Sequence, residues 1–399
     1  MDENSLKLIA LTALIIGALG VGFGAYSTWQ VQAGAINGED GEDGKDGTTT
    51  TIVTYDDTIE YPCSSFTEIN NSLTAIGTGF GIITIINNIS LTNTIKINGG
   101  GNYIIQSTGA TIFFNGRIFD IRNAKSLTIQ NIKIKINGNF PGIFIYENDN
   151  PVHINNVHIF GAVKNGYGFS ISGSDNVWIS NCIVENVTTG ILIDSDNVWV
   201  SNCFIEKTTN GISQYNNYEN AHIYDNIIKN CSANGIDLDG INNIVEGNII
   251  NGTGSIAISV GNFYNTISNN IIENSVGDGG IDLYANFSVV EDNIIRFFKK
   301  IGIRVNSGCY NVIAGNIIAN STETDVDASC IEIRLKGSYN TIDANGCFNC
   351  KVSGSKVGYG IRILSGCNNN TVVGNTSLFN EVNYQSIGTD TYISGNNFI

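Results

Sequence analysis

Between Ile132 and Asn396 the chain repeats one hydrophobic and polar pattern: an apolar residue, then Asn or a small residue three positions later, then two apolar positions. Segments such as HINNVHI, WISNCIVEN, WVSNCFIEK, HIYDNIIKN, NTISNNIIEN and NVIAGNII carry it. Its anchors are Ile132, Val157, Cys182, Cys203, Asn226, Asn248, Asn270, Asn293, Asn316, Asn345, Asn375 and Asn396. The step is about 21 to 25 residues, with two of about 30 near the end. Self-similarity at that period predicts a solenoid.

The local grammar selects the kind. Each unit is a run of short, Ile-rich, β-branched segments cut by Asn and Gly, with no helical periodicity. A coil of roughly 22 residues then holds three short strands and three turns and stacks on its neighbour at the ordinary strand spacing of about 4.8 Å. Anchor Asn residues lie above one another, where their amides bridge successive coils. Twelve or so coils give a rod roughly 60 Å long.

From about Thr78 to Ile399, this repeat with its Asn column resembles the right-handed parallel β-helix proteins of the pectin-lyase-like superfamily. The resemblance implies an all-β fold; function does not follow from fold. Ahead of the first coil, Phe66, Ile69, Leu73 and Ile76 share one helical face, and Ser65 with Glu68 reads as a capping box. A short capping helix is therefore expected over 63–77, with the β-helix over 78–399. The closing YISGNNFI shows no plug, which predicts either an uncapped last coil or an end covered by a partner such as another copy.

Leu8 to Tyr26 is an apolar run long enough to span a bilayer, with Tyr26 and Trp29 at an interface and Lys7 on its N-terminal side. Residues 1–30 thus read as a transmembrane anchor with the N-terminus inside and the rod outside; cleavage after Ala33 is the secreted alternative. Gly20 and Gly24 form a GxxxG pair. Residues 31–62 read as an acidic linker in which Gly38, Gly41, Gly44 and Gly47 recur every third position, collagen-like but too short to hold a triple helix alone. Anchor, linker and C-terminal end are the three places where a homo-oligomer would form.

A formal charge of −16 with only 20 Lys and Arg argues against nucleic acid and anionic membrane surfaces as partners. Nine Cys leave at least one thiol unpaired. Cys182 and Cys203 sit in the anchor column as stacked thiols or a disulfide, Cys330 with Cys350 would staple two insertions, and Cys347 suits the core.

Two outward columns carry candidate chemistry. Counting back from the inward Ile179, Ile223 and Ile267 places His153, Trp178, Trp199 and His222 on the outside of consecutive coils, as an aromatic platform for sugar rings or a self-stacking ladder. The WISN at Trp178 lacks the acidic and His positions of the related WIDH motif of pectate lyases. A second column contains Asp194, Asp237, Asp239, Asp282, Arg304, Glu332, Arg334 and Arg362. The resemblance places catalytic groups on this sheet: Asp237, Asp239 and Asp282 holding a calcium ion that acidifies a uronic acid, with Arg304 or Arg334 taking the proton. The structural alternative is a solvent-exposed ion-pair ladder. Loops 321–329 and 351–359, one acidic and one basic, flank that strand and are expected to pair. The reading that results is a membrane-anchored extracellular β-helix that binds or organises surface glycans, or serves as an adhesive or envelope element, and requires no cofactor. The alternative is a calcium-dependent polysaccharide lyase or a glycoside hydrolase.

Overall fold

A computed structural model describes residues 59–322, 326–352 and 356–399. Three parallel sheets, of 15, 13 and 14 strands, run the length of the described chain. We call them A, C and B respectively; one coil supplies Thr266–Ser268 to A, Ile271–Glu273 to B and Gly279–Asn286 to C. Each strand pairs with its counterpart one coil away, as Ile267 with Val290, Ile272 with Ile295 and Asp282 with Arg304. At about 4.8 Å per step the fifteen-stranded sheet spans about 70 Å.

The corners explain the Asn-rich composition. Closing a triangular coil needs a left-handed residue at each turn, and Asn and Gly tolerate that conformation best. At the A-to-B corner the φ angle is 53° at Asn181, 57° at Asn269 and 65° at Gly315. The anchor follows immediately, pointing inward. Asn226, Asn248, Asn270, Asn293 and Asn316 are fully buried, and each accepts from the coil before it while donating to a backbone carbonyl. Toward the N-terminus the same column becomes Cys203, Cys182, Val157 and Ile132, which fill space without the amide bridge. A second internal column, absent from the sequence reading, lines the C-to-A corner: Asn243, Asn265, Ser288, Asn311, Asn340 and Asn370, each accepting from the preceding coil's backbone.

Helix α1, Phe66–Ile76, packs Ile69 and Ile76 onto the first strands. Ser65 accepts from the Glu68 N–H at 3.3 Å, but Glu68 reaches back to Ser64 rather than to Ser65, so the capping box is displaced by one residue. Strand Glu60–Cys63 already pairs with Phe80–Ile85, across the boundary at residue 62 that the sequence reading set between linker and capping helix. All nine cysteines are free, so neither the Cys182–Cys203 nor the Cys330–Cys350 bridge forms; Cys330, Cys347 and Cys350 are core side chains. At the other end Ile393 is 47 % exposed, whereas Ile342 and Val372 in the same column are fully buried. Among the described residues no helix is long and apolar enough to cross a membrane. The run Leu8–Tyr26 and the glycine triplets Gly38–Gly47 lie outside the described residues.

Candidate functional site

Alternation along sheet A sets the first row. Val152, Ile154, Val177, Ile179, Val198 and Val200 point into the core, which turns the residues between them outward. Parallel pairing then sets His153 opposite Trp178, Trp178 opposite Trp199 and Trp199 opposite His222. Ring centroids are 4.6 Å apart for His153–Trp178 and 4.7 Å for Trp178–Trp199, the latter within 5° of parallel. Both faces of Trp178 are therefore taken by neighbours, and what it offers solvent is its edge. His222 leans instead on Tyr224 at 4.7 Å, and among the described residues no ring stacks on the second face of Trp199. Burial lowers the pKa of both His153 and His222, favouring the neutral imidazoles that stack.

A second aromatic row, missed in the sequence, continues the first. Tyr264, Phe287, Tyr310 and Tyr339 occupy the left-handed position of the C-to-A corner in four consecutive coils, with φ between 54° and 61°. Asn197, Asn220, Asn242 and Asn369 hold the same position in other coils. The four rings stack at 5.5, 5.0 and 5.0 Å, and each side chain is about half exposed. A bulky residue with positive φ costs about 1 kcal/mol or more relative to Asn or Gly. The signal was present as Y or F two residues before the outward position of sheet A, in NFYNTI, ANFSVV, GCYNVI and GSYNTI. The sheet A row ends at His222 and the corner row begins two coils later at Tyr264, so two aromatic rows, separated by the Asn242 and Ile244 coil, follow this edge as an interrupted stripe from His153 to Tyr339.

Sheet C carries the charged column. Ser213, Asp237, Ser259, Asp282, Arg304, Glu332, Arg362 and Gln385 lie opposite one another in successive coils. The carboxylates of Asp237 and Asp282 thus stand two coils apart, about 10 Å, with Ser259 between them. A calcium ion takes oxygens at about 2.3–2.6 Å, so these two and Asp239 do not converge on one ion. Among the described residues no group of three His, Cys, Asp or Glu side chains is placed to hold a metal. Asp237 accepts from Asn234 at 2.9 Å; burial, then the neighbouring Asp237, raises the exposed Asp239 carboxyl.

The ion-pair ladder forms, but not in solvent. Asp282, Arg304 and Glu332 are 1 %, 6 % and 6 % exposed, with Ile256 and Ile301 beside the first two. Arg304 donates to Asp282, and Arg362 lies 3.7 Å from Glu332 and 3.3 Å from Asp327. Burial lowers the pKa of an arginine, yet the Asp282 carboxylate outweighs it and raises that of Arg304, so the guanidinium stays charged. Burial pushes the Glu332 carboxyl up, offset only in part by Arg362, Arg334 and Arg304. Oδ1 of Asp282 and Nε of Arg304 and Arg334 are buried with no hydrogen-bond partner. Arg334 stands 4.0 Å from Glu332, at the mouth of a surface hollow of about 800 Å³ formed with Leu335, Lys336, Leu364 and Ile387. The two loops do meet: Val357 donates to Asp327 at 3.1 Å and Ser321 to the Lys351 carbonyl at 2.9 Å.

Stacked parallel strands over three sheets match the model of the right handed beta helix region, twice, over residues 118–262 and 210–377. The chain belongs to this right handed beta helix family. None of the curated proteins matches it by sequence. Among solved structures it is similar to the periplasmic alginate epimerase AlgG, at 13 % identity and a TM-score of 0.51 over 78 % of this chain and 85 % of that one. It is also similar to a mannuronic acid specific polysaccharide family 6 lyase from human gut microbiota, at 14 % identity and a TM-score of 0.52 over 84 % and 82 % of the two chains. A PL6 family polysaccharide lyase from Pseudopedobacter saltans matches at 13 % identity and 0.52 over 85 % and 92 %. At these identities the likeness is one of fold.

Proposed function

We propose that this right handed β-helix binds or organises polysaccharide along the aromatic edge, without cleaving it. The observation that carries the reading is the stripe from His153 through Trp178 and Trp199 to Tyr339. Partly exposed rings in eight of nine successive coils along one edge are more than the fold needs, and four of them sit on strained backbone that Asn occupies elsewhere. A glycan laid along this edge meets ring edges, the open face of Trp199 and the polar corner residues beside them. The solved structures of similar fold, an alginate epimerase and a mannuronic acid specific polysaccharide lyase, favour a glycan over other polymers. In this reading residues 1–30 anchor the chain in a membrane with the β-helix outside the cell, as an adhesive or envelope element.

The second reading is a polysaccharide lyase, for which the buried Asp282, Arg304, Glu332 and Arg334 group on sheet C would supply the chemistry. The ion pair between Arg304 and Asp282 weighs against it, since a charged guanidinium does not accept a proton. Incubating the full-length protein with alginate and with polygalacturonate, with and without calcium, separates the readings. Retention on both polymers with no new unsaturated product supports binding alone; unsaturated product from the parent supports the lyase.

A further inference from the structure

The charge of the chain is not evenly spread. Residues 91–146 carry six Lys and Arg against one acid, whereas residues 147–399 carry twelve against twenty-four. Three of those six cations gather on the outer face of sheet C in two adjacent coils. Lys96 lies opposite Asp120, and with Asn98 and Arg122 these two line a cavity of about 230 Å³. Asp120 receives both arginines, Arg122 Nε at 2.8 Å and Arg117 at 2.8 Å. The cluster is left with a surplus of positive charge, and Lys96 has no ion-pair partner among the described residues. Lys96 and Arg122 are exposed.

The arginines are also held in place from above. The Arg117 guanidinium lies 3.8 Å from the centroid of the Phe144 ring, and that of Arg122 lies 4.8 Å from the Tyr146 centroid. Ring contact on one face and the Asp120 carboxylate along one edge, bidentate for Arg122 at 2.8 and 3.3 Å, fix each guanidinium before anything binds, which reduces the ordering cost of recognition. Planar guanidinium groups suit oxyanions geometrically, and an ammonium beside them adds an unspecific charge. Arg122 immediately precedes Asn123, a left-handed residue at the C-to-A corner, so the cluster opens toward the edge that carries the aromatic stripe further along the rod.

We infer that Lys96, Arg122 and Asn98 form a subsite for the oxyanion of an acidic polysaccharide, a carboxylate or a sulfate ester. The inference rests on the glycan reading and narrows it: the polymer is anionic, and its charged groups are read at the N-terminal coils. The coils beyond residue 147 carry an excess of acids, so the polymer's charged groups are held at the N-terminal coils and the aromatic edge beyond them meets the sugar rings.

Calorimetric titration of the full-length protein with polygalacturonate, dextran sulfate and neutral dextran tests this. Both polyanions are expected to bind at low ionic strength and to weaken as salt is raised. Lys96→Gln with Arg122→Gln should weaken the preferred polyanion roughly tenfold or more and leave any dextran binding unchanged. Lys96→Arg should retain most of the affinity. The carboxylate and sulfate arms identify which oxyanion is preferred. Arg122→Gln also takes a partner from the buried Asp120, so the unfolding temperature is measured alongside; Lys96→Gln alone touches an exposed side chain with no ion-pair partner among the described residues, and a binding loss in it is interpretable by itself. Polyanion binding that is equal in parent and double variant overturns the subsite while leaving the glycan reading intact. Failure of all three polymers to bind overturns the glycan reading and the subsite with it.

Discussion

Phe287 and Tyr310 stack with centroids 5.0 Å apart and planes within 2°, and both have positive φ, 54° and 59°. A structural ladder would gain ring contact and lose backbone energy; a binding surface would accept that loss for exposed aromatic area. Tyr310→Asn restores the residue type found at this corner in other coils. The expected result is unchanged or slightly raised stability, by up to about 1 kcal/mol, together with weaker polysaccharide retention. Denaturant unfolding and polysaccharide affinity electrophoresis measure the two effects.

The internal amide columns should matter far more to stability. Oδ1 of Asn270 accepts from both the backbone and the side chain of Asn248, at 2.9 and 3.0 Å. Asn270→Ala takes the acceptor from the Asn248 backbone N–H and the amide donor from the Val245 carbonyl, while the Asn248 side chain keeps the Ile223 and Glu246 carbonyls, a cost of about 1–3 kcal/mol. A much smaller loss in urea unfolding would mean that the column is packing rather than bonding.

Asp282→Asn removes the counter-charge of a guanidinium that is 6 % exposed, so it should destabilise by about 3–5 kcal/mol. The double change Asp282→Leu with Arg304→Met removes both charges and should recover most of that loss. Recovery of stability with polysaccharide binding retained identifies a structural ladder.

The imidazoles give a pH dependence with a defined sign. Burial lowers the folded-state pKa of His153 and His222, so the unfolded chain binds protons more readily as pH falls through the ordinary histidine value near 6.5. Stability contributed by the two rings is present above that pH and is lost below it. Thermal midpoints should fall between pH 7.5 and 5.5, and less so in His153→Phe; equal falls in parent and variant would remove His153 from the account.

Much of this was legible before the structure. Spacing of the Asn anchors gave the coil and its inward column, since a side chain that must satisfy a buried turn recurs at a fixed step. Outward alternation from Ile179 and Ile223 correctly aligned His153, Trp178, Trp199 and His222. Ring orientation was not legible: strand spacing brings the rings together, but only coordinates show that Trp178 is covered on both faces. The burial of Arg304 and Glu332 was hidden too, because outward alternation implies exposure, whereas Arg304 is covered by Ile256 from an earlier coil and by Ile301 of its own strand. Tyr264, Phe287, Tyr310 and Tyr339 were not legible as a row because left-handed corners favour Asn and Gly, and an aromatic residue gives no sequence sign of that conformation.

The most direct test is tryptophan fluorescence of the full-length protein titrated with polygalacturonate, alginate and dextran, against Trp178→Phe and Trp199→Phe. Trp29, Trp178 and Trp199 are the three tryptophans, so the two variants isolate the stripe. Polysaccharide binding along this edge predicts a saturable change with at least one polymer that is reduced in both variants. A parent signal that no polymer alters, or one that survives in both variants, would contradict it.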